Sequence, residues 1–149
     1  MPTDRRELAY AAFHALIDAS SYFVFVERNG DIELYPPNDF PAAVILDGGH
    51  QVENRESGKI HPEATVSVVL FAKSNTRQSI GTALNEARAK CLDAIREPVG
   101  FAAFQTNYGS IEEQIFSPFE RDPEDDRLGS QRLDFRLRLQ EAELDPYTA

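Results

Sequence analysis

Residues 132–140 (RLDFRLRLQ) alternate without interruption. Leu133, Phe135, Leu137 and Leu139 fall on one face; Arg132, Asp134, Arg136, Arg138 and Gln140 fall on the other. Successive side chains of a strand point to opposite sides, so a period of two held over this length predicts a half-buried strand. The chain must therefore build a sheet whose apolar face needs a cover. The opposite face of that strand carries three arginines on a chain whose formal net charge is −10.

Elsewhere the period changes. Asp4 is a candidate N-cap, with Glu7 at capping-box distance, and Leu8, Ala9, Ala12, Phe13, Leu16 and Ile17 recur at helical intervals. That predicts a helix over 5–19, ended by Ser20 and Ser21. Residues 22–26 (YFVFV) and the alternating 32–35 flank Asn29-Gly30, the signal of a type I′ hairpin. Pro36, Pro37 and Pro41 then impose an extended connection. Residues 42–46 (AAVIL) read as a buried strand closed by Asp47-Gly48-Gly49. The polar 51–56 reads as an exposed arm of a hairpin that returns through 63–73. There Val66, Val68 and Leu70 share one face, while Val69 and Phe71 make the other partly apolar, so this strand is expected to be central or covered on both sides.

A second helix is the clearest: Asn75 and Gln78 resemble a capping box, and Ile80, Ala83, Leu84, Ala87, Cys91, Ala94 and Ile95 form one stripe before Pro98 stops it. Gly81 inside it costs about 1 kcal/mol relative to alanine, which predicts close packing there. Residues 101–104 read as a short apolar turn, 111–116 as a strand, and 117–130 as a solvated acidic loop. The sum is an α+β, two-layer domain, a mainly antiparallel sheet with two helices packed on one face. It is expected to be a single domain over 1–149, with a core at about 4–141 and a short polar tail at 142–149.

The 149 residues suit one domain that buries roughly 70% of its unfolded surface and needs no metal or disulfide to fold. Cys91 has no internal disulfide partner, which suits a reducing compartment. No run approaches the ~20 apolar residues of a membrane helix, and the first residues lead straight into an amphipathic pattern with no signal-peptide core. The reading is a soluble, cytoplasmic chain. Its negative charge disfavours nonspecific binding to nucleic acid, which needs a basic footprint. That charge either serves solubility or forms a surface that repels DNA, such as a channel wall.

Catalytic patterns are absent from the sequence. Gly48-Gly49 opens no phosphate loop, no serine stands in a nucleophile-elbow frame, and no carboxylate pair stands out as an acid–base couple. His14 lies off the best helical stripe. His50 and His61, on hairpin arms, could face each other as metal ligands, but no Cys or clustered carboxylate completes a site. Cys91, on an apolar stripe, reads as a buried structural thiol. No enzyme activity, cofactor or metal is expected. The row Arg132, Arg136 and Arg138 is either a solvated strand face, partly offset by Asp134, or half of a charged interface. In the second case an acidic loop with Glu120, Asp122, Glu124, Asp125 and Asp126 on a neighbouring copy would supply the other half. A heterologous contact of this kind closes into a ring if its rotation allows.

The layout resembles the tail terminator proteins of long-tailed phages, the group that includes the lambda-type minor tail protein U, with relatives in prophages and gene transfer agents. The resemblance rests on the N-terminal helix (ELAYAAFHALIDA), the short strand PAAVILD and a polar arm. It continues with the strand ATVSVVLFAKS running into the second helix, and an acidic loop leading to QRLDFRLRLQ. It spans about 4–141 and is a pattern of elements, not a signature motif. The chain departs from it at Asn29-Gly30, Gly81 and the long acidic loop. The resemblance implies a hexameric homo-oligomeric ring that caps the tail tube, ends its polymerisation and presents the head-joining surface. Its partners would be the major tail tube protein and head connector or neck proteins. DNA would pass through the channel without specific binding, and no membrane would be involved. The location implied is the head-proximal end of the virion tail, after assembly in the host cytoplasm. The interface residues expected are Arg132, Arg136 and Arg138, the arm with Gln51, Glu53 and Arg55, and the acidic loop. The competing readings are another head–tail connector or neck protein, and a small intracellular ligand-binding α+β module with one apolar pocket.

Overall fold

A computed structural model describes residues 3–29, 40–56, 59–74, 79–121, 127–139, 142–143 and 147–148. In chain order these form β1 (Thr3–Asp4), α1 (Arg5–Asp18), β2 (Phe25–Arg28), β3 (Ala42–Glu56), β4 (Lys59–Lys73), α2 (Ile80–Ile95), α3 (Pro98–Asn107), β5 (Gly109–Phe116), β6 (Glu120–Arg121), β7 (Leu128–Leu139), β8 (Ala142–Glu143) and β9 (Tyr147–Thr148). The main sheet runs β2-β3-β4-β7-β5, with β6 also on β7 and β8 on β4. Every pairing is antiparallel except β2 with β3. The class is the expected one, α+β with a mainly antiparallel sheet.

Strand β7 alternates as its sequence dictates. Leu133, Phe135 and Leu137 are fully buried, and their register partners Val68, Val66 and Ala64 on β4 are equally buried. Tyr10, Phe13 and Ile17 of α1 and Ala87, Cys91 and Ile95 of α2 complete one core with them. The Phe13 and Phe135 rings lie 5.6 Å apart, and Phe116 meets Phe135 at 5.8 Å. Strand β4 is central, between β3 and β7, as its two partly apolar faces required.

The structure corrects several local expectations. The 42–46 strand and the 51–56 arm are one continuous strand, because Gly48 and Gly49 make a bulge instead of a stop. Only the end of 22–26 is strand: Ser21–Val24 bends, Val24 N–H donates to the Pro41 carbonyl, and β2 runs parallel to β3. Asn29 has the positive φ (56°) that an Asn-Gly turn needs, while Gly30 and the 32–35 arm lie outside the described residues. The Asn75–Gln78 capping box also lies outside them; the N-cap of α2 is Ser79, whose Oγ accepts from Thr82 N–H at 3.1 Å. Gly81 packs closely enough that an added Cβ would sit 3.4 Å from the Phe119 ring.

Residues 101–104 belong to a third helix. Pro98 stops α2 but is also well placed at the first turn of α3, where its missing N–H costs nothing. The Glu97 carboxylate accepts from Val99 and Gly100 N–H there. The 117–130 loop contains β6 and the first residues of β7. The 142–149 tail supplies β8 and β9, which pair with β4 and β1.

Candidate assembly surfaces

The sheet face away from the helices collects the arginine row. Strand periodicity puts Arg132, Arg136 and Arg138 on one side of β7, and antiparallel register sets carboxylates beside them. Arg132 Nε donates to Asp134 Oδ1 at 2.9 Å, and its Nη2 donates to Ser67 Oγ at 3.0 Å. Ser67 Oγ in turn donates to Asp134 at 2.7 Å. Arg136 Nε lies 2.5 Å from Glu63 Oε1, and Arg138 Nε lies 3.3 Å from Glu112 Oε1. With its amide oriented to suit both groups, the Gln114 oxygen also accepts from Arg136 at 2.7 and 2.8 Å.

The row is thus brought together as expected, but as a ladder in which each guanidinium meets a carboxylate of the same chain. The sequence pointed to Asp134 alone as an offset; Glu63, Glu112 and Gln114 come from β4 and β5, and only the register reveals them. Exposure grades the ladder. The Glu63 side chain is 10% exposed and Arg136 30%, against 57% for Arg132 and 44% for Arg138. The middle rung is therefore the one least screened by water.

Of the acidic loop, Glu120 is exposed in β6, where its register partner is Ser130. Asp122, Glu124, Asp125 and Asp126 lie outside the described residues. Gln51, Glu53 and Arg55 have their backbone in β3, with side chains outside the described residues. They stand on an arm. Strand β4 pairs with β7 only from Lys73 to Glu63, and beyond Glu63 it is accompanied by β3 and the two-residue β8. From Glu63 to Lys59, at ~3.3 Å per residue, the described hairpin reaches about 13 Å past the last pair of β4 with β7.

Other candidates resolve into structural roles or leave open surfaces. His14 Nε2 sits 3.2 Å from the Val26 carbonyl and ties α1 to β2. His50 and His61 are not cross-strand partners: His50 faces Ala64 and His61 faces Asn54. Among the described residues no three His, Cys, Asp or Glu side chains gather as a metal site, and no helix is long and apolar enough to cross a membrane. Cys91 is fully buried, and burial pushes its thiol pKa up to about 12. Arg28 is held above its ordinary range by hydrogen bonds to Glu7 and then Asp47.

The helical layer holds a groove of about 790 Å³ between α1, α2 and α3, with Leu16, Tyr22, Phe104 and Tyr108 among its walls and Lys90 and Asp93 also lining it. Burial, and then Glu86, raise the Tyr22 pKa. No local sequence pattern marks this groove, because one of its walls is α3, part of which reads as a turn.

No family model matches the chain, and no curated protein matches it. Among solved structures, a chain of the "Virion of native gene transfer agent (GTA) particle" is similar over 88% of this chain and 90% of that one, at 11% identity and a TM-score of 0.39. At those values the likeness carries no inference about what this chain does.

Proposed function

We propose that this chain is a structural component of a virion, a tail terminator that forms a ring on the end of the tail tube, stops its polymerisation and offers the head-joining surface. The observation that carries this reading is the β3–β4 arm, which projects from a body of the element order that tail terminators resemble. A projecting hairpin suits a protein whose work is contact: it reaches a neighbour or the tube while the two-layer body stays intact. The ring would be hexameric, with tube protein on one side and connector or neck proteins on the other. The negative charge would let DNA pass a lumen without adhering. No catalytic step belongs to this mechanism.

Purified chain added to polymerising tail tube protein from the same element tests it. Tubes capped at one end and halted at a fixed length are expected; tubes of unchanged length with no bound chain would sink the proposal.

One observation favours a second reading, a small-ligand module: the groove between the three helices, whose volume falls in the range of small-molecule sites. Binding of small apolar or aromatic compounds there, abolished by Ala103→Trp without loss of fold, would support it.

A further inference from the structure

The root of the arm is an unusual place in the sheet. Between the pairs Asp47–Val66 and His50–Ala64, β3 has Gly48 and Gly49 where β4 has only Thr65, a two-against-one bulge. Such bulges bend the strand and increase its twist. Gly48 approaches so closely that an added Cβ would lie 2.4 Å from Thr65 Oγ1 and 2.9 Å from the Thr65 carbonyl oxygen. A second register shift follows between Val52 and Asn54.

The helical layer grips this bulge. The Tyr10 hydroxyl of α1 donates to the Thr65 carbonyl at 3.1 Å. The Tyr10 ring lies beneath the Arg28 guanidinium, 5.7 Å from its centroid. Arg28 donates to both Glu7 carboxylate oxygens at 2.7 Å and to both Asp47 oxygens at 3.2 and 2.6 Å. Asp47 N–H, at the edge of the bulge, donates to Asn29 Oδ1 at 2.9 Å. On the opposite sheet face, Glu63 is held by Arg136 at the last β4 position that still pairs with β7.

We infer that this bulge is an elbow. The arm's direction is set by a clamp on each face, Tyr10 and Arg28 on the helix side and Arg136 on the other, and is thereby coupled to the position of α1 and β2. Backbone pairing alone would leave a strand bent by two register shifts free to take several directions. The side chains select one. A partner that displaces Glu7 or Arg28 would release the arm, so a contact on the helix side is transmitted to the tip. The elbow belongs to the isolated chain and does not depend on a role in a virion.

The test is a distance distribution by pulsed electron paramagnetic resonance, with spin labels on Lys59→Cys at the start of β4 and Gln105→Cys on α3. The unsubstituted chain, whose Cys91 is buried, is the labelling blank. The clamped chain should give one narrow distribution. Tyr10→Phe, Arg28→Met and Glu63→Gln should each widen or shift it, by about twofold in width where a restraint worth one hydrogen bond is lost. Circular dichroism checks that each variant is folded. Should Arg28→Met fail to fold, the milder Tyr10→Phe and Glu63→Gln decide. A broad distribution in the starting chain, or an unchanged one in every folded variant, would overturn the elbow.

Discussion

The two faces of β7 share a backbone and differ in almost everything else. On one face, Leu133, Phe135 and Leu137 are sealed beneath α1 and α2, with an apolar partner on β4 at every cross-strand position. On the other, Arg132, Arg136 and Arg138 lie in partial contact with water, each matched to a carboxylate of its own chain. The first face holds the fold through area removed from water, about 25 cal/mol per Å². The outer rungs of the second, Arg132–Asp134 and Arg138–Glu112, contribute little stability, since exposed ion pairs are worth about 0–1 kcal/mol. A charged row need not be an unsatisfied one. Because the ladder cancels much of its own charge, a partner docking there must replace internal pairs, not simply meet bare arginines.

Substitutions on the two faces should separate them. Phe135→Ala removes a ring that packs on Phe13 and Phe116, and should cost about 3–5 kcal/mol by chemical denaturation. A cost below that of the arginine variants would break the comparison. Arg136→Ala should rank next, at about 1–3 kcal/mol, because it takes the guanidinium away from the nearly buried Glu63 carboxylate. Glu63→Gln should recover part of that loss in the double variant.

The Cys91 thiol sharpens the apolar side through pH. Its folded pKa is raised to about 12 from an ordinary value of 9.0, so its contribution to stability is complete below pH 9 and is lost as pH climbs towards 12. Between pH 8 and 10 the chain should lose roughly 1 kcal/mol more than Cys91→Ala does, measured as the difference in denaturation midpoints. At pH 8 a thiol reagent should react only at the rate of unfolding. Smallest of all, Arg132→Ala should change stability by about 0.5 kcal/mol or less. Reversal of all three arginines to glutamate should nonetheless disrupt ring assembly if that face is a subunit contact, while intact assembly would remove it from the interface.

Much of this architecture is legible in the residues. The period of two in 132–140 and the stripe in α2 reappear almost residue for residue, because burial on one face is what those patterns encode. What stayed hidden depends on partners distant in sequence. Pro98 signalled a stop without disclosing that the same residue starts α3. Gly48-Gly49 carried a turn signal, yet pairing with β4 turned it into a bulge within one long strand. The site was half legible: the arginines announce themselves by alternation, whereas Glu63, Glu112 and Gln114 become their partners only through strand register. The Tyr10–Thr65 contact joins residues 55 positions apart and has no local signature.

The central claim, a role in ending the tail, is tested most directly by electron microscopy of particles made after deleting the gene for this chain. Abnormally long tails without heads are the expected result. Tails of normal length joined to heads in infectious particles would contradict it.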